Sequence, residues 1–422
     1  MIKKLIGLSF ILLSIQSFAQ KNNTSPYSFF GIGEETSQKT VEEMSMGQIG
    51  GAFNSSYQLT FTNPAALAYL QLTNYTIAGE NKSIQINDGT NKGSSSTASL
   101  SYFGLGIPMG TKAGLSFGLQ PNTTVGYSLT EEFNNSEGEL TEINAFNGKG
   151  GTNRVFLGFG YRLHKNFSIG LEAAYVFGNI ENTLLNRRDG VQLATMHKTN
   201  STLSGFAAKA GLQYNTKVSD KLTLKSGAVF HLKNNLSNDG DELLFSLLNT
   251  NNGSISPRDT LINRSFNSEV KKPLSTILSV GLGEENKWYA GLEYNFQNAL
   301  DFEGGVLANN TRVSYDKMNR ISVGGFYIPK INSLSSYWQR ITYRAGFSYK
   351  QTGLMVNNDK VNDLGMSFGV GLPIGKQLSN LNLGFEFGKR GETKNSLIKE
   401  NYFNFRLGLT LNDKWFVKQK IQ

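Results

Sequence analysis

Residues Asn153 to Phe177 constrain the fold more than any other stretch of the chain. They read as two strands meeting at His164-Lys165-Asn166. Val155, Leu157, Phe159 and Tyr161 share one face of the first strand, and Phe167, Ile169, Leu171, Ala173, Tyr175 and Phe177 share one face of the second. Gly158, Gly160, Arg162, Ser168, Gly170 and Glu172 take the opposite face. A soluble sheet rarely backs an apolar face with so much glycine. A membrane barrel does, because its apolar side meets lipid and its small residues make room in a crowded lumen.

The same pattern recurs from residue 71 onward and gives an all-β chain, a transmembrane antiparallel β-barrel of about fourteen strands. The connections alternate in length. Tight ones fall at Met109-Gly110, His164-Lys165, Lys217 to Ser219 and Glu284-Glu285, and long ones at 131–149, 184–199, 236–265 and 300–310. Short periplasmic turns and long external loops produce this alternation, and an even strand number places both termini in the periplasm. The connection from Lys330 to Trp338 is longer than its place in the alternation predicts.

The compartment follows from the first residues. Lys3 and Lys4 precede an apolar run from Leu5 to Ile15 and then Ser17-Phe18-Ala19, the pattern of a cleaved signal peptide over 1–19. The chain has no Cys, which excludes thiol chemistry, disulfides and a lipid-attachment cysteine. Its net charge of +9 falls to +7 without residues 1–19, which carry two Lys and no acid. The basic residues are scattered, so no nucleic-acid surface is expected, and the surplus suits anionic lipid and lipopolysaccharide head groups.

Residues 20–70 do not alternate. They hold Ser25-Pro26-Tyr27 to Gly33, Met46-Gly47-Gln48-Ile49-Gly50-Gly51-Ala52 and Phe61-Thr62-Asn63-Pro64-Ala65. Asn63 before Pro64 is a good helix start and predicts a short helix to about Leu70. Phe29, Phe30, Ile32, Met44, Met46 and Ile49 need cover from water, so the segment is expected to fold into the lumen as a hatch, with Gly47, Gly50, Gly51, Asn63 and Pro64 as its motif. The barrel then occupies 71–413, and 414–422 form a short periplasmic tail.

The chain resembles the FadL/PorV-type outer-membrane barrels found in Bacteroidetes. The resemblance spans the mature chain and rests on Met46-Gly47 to Gly51-Ala52, on Asn63-Pro64-Ala65, on the strand count and on the last strand Leu407 to Asp413 followed by Lys414-Trp415-Phe416. It implies an N-terminal hatch and one of two roles. These are uptake of hydrophobic molecules, or service as a partner subunit in outer-membrane machines for protein secretion or assembly.

No catalytic constellation, cofactor or metal site emerges. The three His, His164, His197 and His231, lie at different heights without a matching nucleophile and acid. Asp239-Gly240-Asp241-Glu242 lacks the spacing of a calcium loop and reads as an acidic helix start. Two features bear on function. Glu172, Glu293, Arg344, Glu386 and Arg406, with Lys209 and Lys225, point inward and are expected to form one polar layer locking hatch to barrel, with Arg406 the partner of Glu386. In the longest loop, Leu243, Leu244, Phe245, Leu247 and Leu248 read as a short amphipathic helix that docks on the barrel mouth, lines a ligand groove or meets a partner protein. Together they point to a non-enzymatic accessory subunit with other outer-membrane or periplasmic proteins as partners, the alternative being a FadL-like uptake channel.

Overall fold

The computed structural model describes residues 24–248, 256–302, 313–375, 378–394 and 397–414. Residues 1–23, on which the expected leader falls, and those after Lys414, on which the expected tail falls, lie outside this set. The wall begins with β2 (Thr73–Asn87), β3 (Lys92–Met109), β4 (Ala113–Asn134), β5 (Leu140–His164), β6 (Phe167–Arg188) and β7 (Leu193–Lys217), following a short β1 (Glu34–Glu35). It continues through β8 (Leu222–His231), β9 (Asn234–Leu248), β10 (Ser256–Lys272), β11 (Ser275–Glu284), β12 (Trp288–Gln297), β13 (Asp301–Phe302), β14 (Val313–Tyr315) and β15 (Met318–Tyr327). It ends with β16 (Thr342–Val356), β17 (Asp359–Ile374), β18 (Ser379–Arg390) and β19 (Lys399–Asp413), and β19 pairs with β2 to close the barrel.

Four pairs of these segments are halves of single spanning strands, so the wall is a closed barrel of 14 strands. β8 and β9 both pair with β7 and are interrupted at Leu232-Lys233. β10 and β11 continue each other across Pro273, which has no N–H for the ladder, and pair with β9 and β8.

Alternation decides which side each residue meets. Leu157, Leu171, Phe206, Leu292, Ile321, Phe368 and Leu407 are exposed on the outside, while their sequence neighbours Phe156, Glu172, Glu293, Ser367 and Arg406 are buried inside. The exposed apolar belt is what a lipid-facing wall requires. A tilted strand crosses a membrane in about 9–11 residues. β5 and β7 have 25 each, so the sheet from β4 to β10 rises far beyond the belt.

That extension revises the expected loops. Residues 131–149, 184–199 and much of 236–265 are strand joined by tight turns, because neighbouring long strands satisfy one another's backbone groups. The expected helix over Leu243–Leu248 and the helix start at Asp239–Glu242 are likewise strand. Both lie in β9, paired with β7 on one side and β10 on the other. The connection from Ile328 to Ile341 is long and ends in the 3₁₀ turn Trp338–Arg340.

Residues 24–72 fill the lumen. Their parts are a 3₁₀ turn at Pro26–Phe29, β1, a helical turn at Val41–Met44 and a 3₁₀ helix at Pro64–Tyr69 that Asn63 caps by accepting from the Ala65 N–H. Barrel glycines let this backbone approach the wall. A Cβ on Gly346 would lie 2.0 Å from the Gly47 nitrogen, one on Gly324 2.1 Å from the Met46 oxygen, and one on Gly227 2.0 Å from the Gly51 oxygen. Overpacking a tight site costs about 1–3 kcal/mol. Gly346→Val should therefore lower the thermal unfolding midpoint in detergent and open residues 40–70 to protease. Gly93→Ala, where a Cβ meets open space, should do neither.

Candidate functional site

The hatch is tied to the wall by buried charges. Glu293 on β12 accepts from the backbone N–H groups of Gly50 (2.9 Å) and Gly51 (2.8 Å), and pairs with Lys39 of the hatch (3.0 Å) and Arg320 of β15 (3.3 Å). Lys39 also donates to Thr62 (3.1 Å), and Arg320 donates to the Gln48 side chain (2.9 Å). Burial pushes the Lys39 ammonium below its ordinary value, and Glu293 pulls it back up. Glu172 on β6 is held by Arg154 and by Lys209 (3.0 Å), and Lys209 donates to the Phe61 carbonyl of the hatch (2.6 Å).

On the other side, Arg406 pairs with Glu386 (2.6 Å) and with Glu80, while the Gln48 side chain of the hatch donates weakly to Glu386 (3.4 Å). Arg344 donates to Asn382 (3.1 Å), which in turn donates to Glu42 of the hatch (2.8 Å). Lys225 donates to the Asn54 carbonyl (3.0 Å). Of the five residues expected to form one layer, Glu386 and Arg406 pair directly, Gln48 of the hatch bridges the Glu386 and Glu293 groups, and Glu172 and Arg344 have partners of their own. In each group a hatch residue completes the hydrogen bonding, because the hatch stands between the walls.

Within the hatch, the buried Glu43 carboxylate accepts from the N–H groups of Thr40 (2.8 Å), Phe61 (3.3 Å) and Thr62 (3.2 Å), joining the Val41–Met44 turn to the segment before Asn63. Asn63 also donates to the Gly51 carbonyl (2.7 Å) and the Leu212 carbonyl of β7 (3.0 Å), and Pro64 follows it as the first residue of the 3₁₀ helix. Gly47 sits at φ +69° and donates to Ser367 (2.8 Å). Met46, Ile49 and Phe53 pack on Tyr289. Full burial of such a side chain stabilises by about 1.5–3 kcal/mol, whereas a buried ion pair roughly breaks even. Apolar contact therefore holds the hatch in place, and the ion pairs fix its register.

Above the hatch lies a cavity of about 810 Å³, lined by Glu34, Lys39, Arg154, Lys350, Asp363 and Arg390 among others. It reaches the wall where β3 and β4 part. β3 pairs with β2 from Lys92 to Gly106 but with β4 only from Phe103 to Met109, and Leu100, Leu119 and Pro121 line the cavity at this seam. The β4 side of the seam is covered by the hatch: Glu34 and Glu35 pair with Thr124 and Thr123, and the Thr36 N–H donates to the Asn122 carbonyl (3.1 Å). The chamber sets these charges among apolar side chains that include Phe61, Leu119, Val176 and Ile277.

On β9, side chains alternate. Leu243, Phe245 and Leu247 pack with Ala194, Met196 and Leu185 on one face, and Leu244 and Leu248 turn to the other, so the five do not form a single apolar stripe. Asp239, Asp241 and Glu242 accept from Asn267, Ser265 and Arg264 of β10. His197 contacts Glu242 (2.8 Å), His231 lines the cavity and His164 sits at the β5–β6 turn. Lys39, Glu42, Glu43, Glu80, Arg154 and Arg320 were not singled out from the sequence. Arg154 was legible, since it precedes the outward Val155.

A family model described as BamG matches residues 1–422. Solved structures of similar fold include a Pseudomonas aeruginosa FadL homologue, with 13% identity, a TM-score of 0.60 and coverage of 90% of this chain and 99% of that one. The Pseudomonas putida toluene transporter TodX follows with 16% identity, a TM-score of 0.58 and coverage of 90% and 99%. The monoaromatic hydrocarbon channel CymD has 15% identity, a TM-score of 0.56 and coverage of 91% and 99%. At such identities the likeness is one of fold. No curated protein matches the chain.

Removing one member of a buried pair costs about 3–5 kcal/mol. Glu293→Leu would strand Lys39 and Arg320 and leave two hatch N–H groups unpaired, whereas after Glu386→Leu the Arg406 guanidinium keeps Glu80. Thermal unfolding followed by heat-modifiable gel mobility should therefore show the larger drop for Glu293→Leu. Equal drops would mean that the clamp on Gly50 and Gly51 adds nothing.

Proposed function

The chain belongs to the BamG family, and from that premise we propose that it is a non-catalytic outer-membrane barrel serving as an accessory subunit of a larger outer-membrane protein complex. The observation that carries this reading is the clamped hatch: its backbone is held through Gly50 and Gly51 to Glu293 and pressed against glycines of the wall. A conduit has no use for such a lock, but a rigid scaffold does. The sheet from β4 to β10, standing well beyond the apolar belt, adds a broad surface of mixed charge that suits a protein partner. Protein secretion and outer-membrane protein assembly are the settings in which such a subunit would work.

A second reading, uptake of hydrophobic small molecules, has the more direct support from the comparisons, whose members include a toluene transporter and a hydrocarbon channel. The seam between β3 and β4 favours it too, since a molecule leaving sideways would not need to pass the hatch. Its difficulty is the set of charges, Lys39, Arg154, Lys350 and Arg390 among them, that stand between the apolar groups of the chamber.

Gentle detergent extraction followed by native mass analysis separates the two. An accessory subunit should emerge with unrelated proteins, and a deletion strain should take up long-chain and aromatic hydrocarbons normally. Extraction of the barrel alone together with lost uptake would establish the second reading instead. Both readings place the short turns in the periplasm. A protease site inserted at Gly138, in the β4–β5 turn, should be cut in intact cells, and one at Asp220, in the β7–β8 turn, only after the outer membrane is opened.

A further inference from the structure

We propose that the β3 lip of the seam is a docking edge for an extended strand of a partner polypeptide, entering the wall beside β3 in the plane of the membrane. The inference rests on the accessory-subunit reading and adds the place of contact. Between Gly93 and Leu100 the backbone of β3 pairs with β2 on one side and has no backbone partner on the other among the described residues. Hydrocarbon cannot satisfy a row of unpaired N–H and C=O groups, each costing several kcal/mol in such a medium. The opposite lip shows what does satisfy one. There β4 is covered by β1, an extended segment of this chain, through Glu34–Thr124 and Glu35–Thr123.

The outward side chains agree. β2 pairs in register with β19, so Ser83 stands opposite Phe403 and Asn81 opposite Phe405, and across β3 the same two stand opposite Ser96 and Ala98. One neighbour of β2 thus presents phenylalanine outward and the other serine and alanine. Ser83, Ser96 and Asn81 hydrogen-bond with one another on this outer face (3.2–3.5 Å). A polar cluster beside an unpaired edge, at the height of lipid-facing phenylalanines, matches a hydrogen-bonding occupant. A polypeptide in β conformation offers donors and acceptors at the spacing of the edge, and Ser or Thr side chains for the cluster.

Photo-crosslinking of the full chain in its native membrane tests this, with a photoreactive residue placed singly at Ser94, Ser96 or Ala98 and, as a control, at Phe403. The three β3 positions should join one and the same foreign polypeptide, at sites that run in order along a single short segment. Phe403 should capture lipid. Asn81→Leu combined with Ser83→Leu, which leaves the wall lipid-compatible and folded, should cut adduct yield by about tenfold, the equivalent of losing one or two hydrogen bonds. Adducts to a second copy only, to no protein, or undiminished in the double variant would overturn the proposal, as would capture of an added long-chain hydrocarbon in place of polypeptide. Co-extracted partners that persist without β3 adducts would refute the docking edge alone, and their absence would refute the reading beneath it.

Discussion

The Glu293 carboxylate and the two N–H groups it receives from Gly50 and Gly51 set the terms for the rest of the molecule. A strand that presents a carboxylate to the lumen must find it donors, because water is scarce there and an unpaired charge is costly. Bulk cations of the wall alone would leave the second oxygen poorly served. The hatch backbone supplies what is missing, which obliges it to lie against β12, and that in turn obliges Gly227, Gly324 and Gly346 on nearby strands to carry no side chain. The glycine-rich inner face and the charged inner face are therefore one requirement expressed in two residue types.

The wall was legible because its signal is strong. A period of two, sustained over strands of fifteen residues or more, fixes both the strands and which side each residue meets. The inward charges could be read from the same alternation, and the pairing of Arg406 with Glu386 follows from adjacent strands. Their hatch partners could not be read, since Lys39 and Glu42 lie in a stretch without periodicity and meet the wall only in the folded barrel. Leu243 to Leu248 misled for a different reason. Apolar residues at nearly every position fit a helix as well as a strand, and the choice was made by pairing with β7 and β10, whose sequences carry no matching apolar signal. The polar upper half of β3, Gly93-Ser94-Ser95-Ser96-Thr97, was visible as a strand without a lipid face, and its meaning appears only beside an unpaired edge.

Enclosure of the hatch has a consequence for the order in which the protein is made. The segment precedes β2 in the chain and touches β4 through β8 on one side and β11, β12, β15 and β16 on the other, while the ring is completed by pairing β2 with β19, more than three hundred residues apart in sequence. Backbone wedged against backbone cannot be threaded into a finished cylinder. Seating of the hatch and closing of the wall around it therefore depend on each other. Closure and plugging become a single late event with a large loop-closure cost. A chain that lacks its last strand thus has neither a closed wall nor a seated hatch, and loss of the C-terminal strand should be felt at the N-terminus as strongly as at its own edge.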